Sequence, residues 1–245
     1  MKRFGRRVVL EDLSFRVPSG VVLGLIGPNG SGKTTLMRIL AGLLRPTSGL
    51  VEVHGRSAAQ LRKDPAWRIG YMPQAGGIYP ELTVRQNVGF FAAMERLHGA
   101  AREQSVDQAL QAAGLLDRAR SRASTLSGGM KRRLSMACTL VHQPGLALLD
   151  EPTVGVDPAL RRDLWAHLHD RARRGSTILV STHDMGEAMR CDAVLFLREG
   201  RRLALDSPQN LLARTKSTDL EAAYLRLAEA RPTNPGAIAE SARRA

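Results

Sequence analysis

The stretch VVLGLIGPNGSGKTT, residues 21–35, constrains the chain more than any other. VVLGLI has the length and branched content of a strand buried on both faces, and TLMRILAGLL (35–44) repeats apolar residues at helical spacing. Between them Gly27, Gly32, Lys33 and Thr34 occupy the fixed positions of G-x-x-x-x-G-K-[ST]. Pro28, Asn29, Gly30 and Ser31 inside the loop, and Thr35 after it, offer little that packs a core. Glycines instead let successive backbone N–H groups turn inward around an anion, and the following helix adds its positive N-terminal end. The loop is a phosphate cradle in which Lys33 is expected to neutralise β/γ oxygens while the Thr34 hydroxyl helps hold Mg2+.

Phosphate binding alone leaves kinases, GTPases and ATPases open, so the second half has to decide. LALLDEP (146–152) is a short apolar strand ending in two acids, and acids at the C-terminal end of such a strand face the ligand site of open α/β sheets. Asp150 is expected to support the metal's water shell, and Glu151 to polarise an attacking water. ILVSTHDM leaves His183 at the end of another strand, within reach of a γ-phosphate, and RIGYMPQ ends in Gln74, a bridge to metal or water. Alone, neither residue carries functional weight. TLSGGMKRRLSMACTLV (125–141) sets Ser127, Gly128 and Gly129 at a helix start, where a hydroxyl, free N–H groups and the helix dipole make a second anion site. Two such sites either clasp one nucleotide within a chain or each complete a site on another copy.

With these segments in order, the chain resembles the nucleotide-binding subunit of ATP-binding cassette (ABC) transporters. The likeness rests on the Walker A loop GPNGSGKTT, the glutamine loop at Gln74, the signature LSGGM, Walker B LALLD with Glu151, GVDP with Asp157, and the switch histidine His183. It implies an α/β fold: a P-loop NTPase (RecA-like) core with a mainly parallel sheet, a small antiparallel β part near the N-terminus, and an inserted helical subdomain. It also implies ATP and Mg2+ as ligands and head-to-tail pairing with a second nucleotide-binding subunit, most simply a homodimer. Ser127, Gly128 and Gly129 of one copy would then meet the nucleotide held by Lys33 of the other. Asp157 would lie across the seam while also turning the chain into Pro158. The family stacks adenine on an aromatic near the N-terminus, and Phe4, before Gly5, offers that π-face. Met130 stands where the signature usually carries glutamine, which resembles the ABC-2 or drug-resistance exporter branch. The implied partner is a separate ABC-2-type membrane permease, docked near Gln74 with Ile78, Tyr79 and Leu82 as exposed contacts.

Within one domain over 1–230, residues 1–84 and 140–206 are expected to form the α/β core. Residues 85–139 form the helical insertion, 207–230 a helical end, and 231–245 a frayed tail. In ALRRDLWAHLHDRARRG (159–175), Leu160, Leu164, Trp165 and Leu168 share one side, the mark of a core-packed helix. The chain has 245 residues, 43% of them hydrophobic, with no run of 18 apolar residues, and its first residues lack the apolar stretch expected of a secretory leader. These features make the cytosol the expected location, and the family resemblance implies the cytoplasmic face of the membrane, with contact to lipid only indirect. Cys138 and Cys191 lack metal-ligand spacing and are expected to be reduced core residues. The formal charge of +13 is carried mostly by scattered arginines, and only 4% of residues are aromatic, too few for base-stacking platforms. A soluble cassette ATPase acting on nucleic acid or ribosomes is the alternative. The segment between Lys33 and Ser127 is too short for the coiled coil of its DNA-repair members, and nucleic acid is not an expected partner. A small-molecule kinase leaves LSGGM without a purpose.

Overall fold

The computed structural model describes residues 1–53, 55–57 and 69–230. The expected frayed tail, 231–245, lies outside them. The chain opens with an antiparallel pair, β1 (Lys2–Phe4) and β2 (Arg7–Leu10), turning through Gly5 at φ +55°. Next come β3 (Val22–Ile26), buried throughout, and α1 (Lys33–Leu40), separated only by the glycine loop. The helix ends earlier than its apolar run because Gly42 takes a left-handed conformation, φ +68°, after the Ala41 cap. A second antiparallel pair, β4 (Glu52–Val53) and β5 (Arg56–Ser57), leads on toward β6 (Ile69–Met72).

Three helices then pack around a core of their own: α2 (Val84–Met94), α3 (Gly99–Ala112) and α4 (Gly128–Leu140). Val88, Leu110, Leu115 and Leu134 are fully buried at its centre. The start of each outer helix is set by its first residues. Thr83 and Gln86 form a reciprocal capping box on α2, and the Ser127 hydroxyl accepts from the Met130 N–H of α4.

The remaining elements are β7 (Leu146–Asp150), α5 (Pro158–Arg173), β8 (Thr177–Thr182), α6 (Met185–Ala188), β9 (Ala193–Arg198), β10 (Arg201–Asp206), α7 (Pro208–Thr215) and α8 (Leu220–Glu229). On α5, Leu164, Trp165 and Leu168 are buried against the sheet with Met72 and Phe196, and Leu160 is half-buried. Cys138 and Cys191 are buried free thiols, and burial pushes both well above the ordinary thiol range, away from the reactive thiolate.

The main sheet runs in the order β10-β9-β3-β8-β7-β6. Its strands are parallel except β10, which folds back on β9 through Glu199 and Gly200, both at positive φ. Strands buried on both faces read as continuous apolar runs, which is why β3, β7 and β8 show no alternation. The order has one consequence for function. β3, β8, β7 and β6 are spatial neighbours, so their C-terminal ends line up and deliver the glycine loop, His183, Glu151 and the Gln74 segment to one edge.

Candidate active site

At that edge lies a cleft of about 500 Å3 lined by Asn29, Gly30, Gly32, Lys33, Thr34, Thr35, Gln74, Asp150 and Glu151, joined by Arg7 and Val9 of β2. Within the loop Gly27 and Ser31 are buried, and Pro28 is exposed. A Cβ at Gly27 would sit 2.1 Å from the Leu197 carbonyl oxygen, so only glycine lets the loop approach β9 so closely. Gly30 and Gly32 take φ of +80° and +105°, and Gly32 caps α1, whose first turn holds no acid to oppose an anion. The Lys33 ammonium donates to the carbonyls of Gly27 (2.6 Å) and Pro28 (3.1 Å). Burial draws its pKa below the ordinary lysine value, and the carboxylates of Glu151 and Asp150 pull it back up.

The acidic side of the cleft is held as firmly. Asp150 accepts from Thr34 Oγ1 at 2.8 Å and from Ser181 Oγ. Glu151 is buried and sits in the left-handed region, φ +52°, with its N–H donating to the Ser181 hydroxyl (3.0 Å) and carbonyl (3.1 Å). Its Oε1 lies 3.2 Å from His183 Nδ1, and the His183 side chain is 61% exposed at the mouth. These residues fit a nucleotide and a hard cation. The Ser31 hydroxyl is buried in the loop with no protein partner, and the paired oxygens of Thr34 and Asp150 are the donors magnesium takes from protein while phosphates and water supply the rest. No cluster of three or more His, Cys, Asp or Glu able to hold a metal occurs among the described residues. A larger cleft, about 620 Å3, lies between α3 and α5 and contains none of the motif residues.

Other expected residues stand apart from the cleft. Phe4 is half exposed on β1, with the Lys2 ammonium 4.8 Å from its ring centroid. Ser127 and Gly128 are exposed, and Gly129 packs so closely on the loop after β7 that a Cβ would meet the Gly155 carbonyl oxygen at 2.3 Å. Asp157 caps α5 by accepting from Leu160 N–H at 3.0 Å. Ile78 and Leu82, expected to be exposed, are half-buried; Ile78 packs on the helical core, and Tyr79 alone of the three is open.

The geometry adds residues that no motif marked. Arg132, within a basic run, sends its guanidinium to the carbonyls of Pro73, Gln74, Asp150 and Glu151. Glu187, buried, accepts from Thr153 (2.7 Å) and Thr182 (3.0 Å) and pairs with Arg161, which also donates to the Val156 carbonyl. The segment before Asp157 is thereby tied to the segment of His183.

A phosphate cradle after the first core strand, with acids on a neighbouring strand of the same sheet, defines a P-loop NTPase fold. The sequence profile described as ABC transporter matches residues 10–154, and the chain belongs to that family. It is 40% identical over 212 residues to Nod factor export ATP-binding protein I of Burkholderia lata, covering 86% of this chain and 70% of that protein. It is 36% identical over 231 residues to the probable multidrug ABC transporter ATP-binding protein YbhF of Escherichia coli, covering 92% of this chain but only 40% of that protein's length. Among solved structures, an ATP-binding subunit of an ABC transporter superposes with TM-score 0.84 at 28% identity, over 93% of this chain and 96% of that one. The dimeric post-hydrolysis state of the ATP-binding cassette MJ0796 bound to ADP and Pi gives TM-score 0.76 at 25% identity, over 84% and 94%.

Proposed function

We propose that the chain is an ATP-hydrolysing subunit that dimerises on Mg-ATP and powers transport, most simply export, through a separate membrane permease. The observation that carries this reading is the single cleft joining the phosphate loop to Asp150, Glu151 and Gln74. Lys33 and the N–H groups of residues 29–35 bind the phosphates, and the start of α1 favours their charge. Thr34 and Asp150, with Gln74 alongside, would hold Mg2+, and the ion would supply charge neutralisation to the transferring phosphoryl group. Glu151 accepts a proton from the attacking water as its hydrogen bond strengthens, and His183, hydrogen-bonded to Glu151, steadies that carboxylate and faces the γ-phosphate. Phe4 presents one ring face to adenine. Ser127, Gly128 and Gly129 complete the site of a second, identical copy, and the exposure of Ser127 and Gly128 leaves that end of the helix free to do so. Asp157 lies at the seam between copies.

The permease reading draws on the names of the relatives, an exporter and a probable multidrug transporter, and on a surface beside the Gln74 segment. Tyr79 and Phe90 stand edge to face at 4.9 Å, both exposed, with Met94 open on the same helix as Phe90. An ABC-2-type permease is the proposed occupant, which puts the subunit at the cytoplasmic face of the membrane. No helix among the described residues is long and apolar enough to cross a bilayer.

Glu151→Gln tests the hydrolytic assignment. Phosphate release from Mg-ATP should fall by roughly 10²–10⁴-fold, the span of a lost general base. ATP binding should persist, and the variant should elute as a dimer when ATP is present. Parent-like turnover would remove Glu151 from the role, and absence of ATP binding in the parent would overturn the whole reading.

A further inference from the structure

Arg132 has a coordination that its sequence context hides. A guanidinium has five N–H groups in a fixed planar fork, and here all five directions end on main-chain carbonyls. Nε donates to Glu151 O at 2.8 Å; Nη1 donates to Pro73 O at 3.1 Å and to Gln74 O; Nη2 donates to Asp150 O and Glu151 O. The described hydrogen bonds of Arg132 all go to main-chain oxygens; burial works against its charge, and the nearby carboxylates of Asp150 and Glu151 favour it without accepting a bond. The residue thus ends as a half-buried cation whose partners are two backbone segments, the one after β6 and the one after β7. Those segments carry Gln74 and Glu151, and Glu151 holds a left-handed backbone that no glycine excuses. Arg132 itself sits in the first turns of α4, the helix capped by Ser127.

We propose that Arg132 is a positioning residue for hydrolysis: its five-way hold on the Gln74 and Glu151 peptides fixes their side chains over one phosphate and ties them to the helix that reaches toward the partner's nucleotide. The inference rests on the hydrolytic reading of Glu151 and Gln74. It adds that movement of α4, when Ser127 engages a second copy, is delivered through one side chain to this copy's own catalytic groups. Lysine cannot substitute, because three donors on a flexible stem span neither two segments nor a plane.

The test compares the full chain with Arg132→Met and Arg132→Lys. Amide hydrogen exchange without nucleotide is the first readout. Both variants should exchange several-fold faster over 74–77 and at Asp150, Glu151 and Thr153, with α1 unchanged, because local opening there loses its restraint. ADP affinity should stay within about twofold of the parent, since the phosphate loop is untouched, while kcat falls about tenfold or more in both at a KM within about threefold. Unchanged exchange in those segments, parent-like kcat in the lysine variant, or ADP affinity falling in step with kcat would each overturn the proposal. A parent that showed no ATPase activity would instead count against the hydrolytic reading, and the exchange pattern would still decide what Arg132 holds.

Discussion

Gly27 shows how a motif residue is legible in identity and illegible in cause. The spacing of the loop calls for glycine so that N–H groups can turn inward, yet the tightest demand comes from outside the loop, where the Leu197 carbonyl of β9 occupies the place of a Cβ. Gly27→Ala should cost about 1–3 kcal/mol, the usual penalty for forcing atoms into a packed site, and denaturant unfolding would measure it. Nucleotide affinity should drop with it, because the displaced stretch runs directly into the proposed phosphate loop. Lys33, Asp150 and Glu151 were legible because each stands at a strand end or helix start, positions fixed by local pattern. Arg132 was not, because nothing local distinguishes it from Lys131 or Arg133; its partners lie 18 to 59 positions away and meet only after the sheet and α4 have packed. Glu187 was hidden for the same reason.

Elements were readable where a periodic run met a capping residue. α4 and α5 start where Ser127 and Asp157 permit, and α2 starts at a capping box whose two bonds, Gln86 N–H to Thr83 Oγ1 at 3.1 Å and Thr83 N–H to Gln86 Oε1 at 2.9 Å, satisfy otherwise orphaned donors. Thr83→Ala should therefore destabilise the fold by about 1 kcal/mol. A shift of the urea midpoint at constant m-value is the check. The apolar run at 35–44 misled about the end of α1, since its periodicity continues while Gly42 stops the backbone. Ile78 and Leu82 misled in the opposite sense: loop position suggested exposure, yet the neighbouring helical core claimed part of Ile78, and Leu82 is half-buried as well. Periodicity reports which residues want burial; it is silent on which neighbour arrives to bury them.

At the scale of the molecule, the sheet order gathers four strand ends that the chain separates widely, and no local pattern reveals that order. The family resemblance supplied the expected assembly instead. The exposed serine and glycine at the start of α4 and the loop of Gly155 meet at Gly129 and form a common rim. Gly129→Ala should push the two apart, because its new methyl group would have to displace a carbonyl 2.3 Å away. The expected result in a Glu151→Gln background is a folded monomer that binds ATP yet no longer elutes as the ATP-dependent dimer; a normal dimer would show that the rim tolerates the change. Gly129 and Gly155 touch backbone to backbone, with no side chain to yield between them. A tug on either stretch is therefore felt by the other without slack, and a substitution tolerated at one position is answerable to the shape of both.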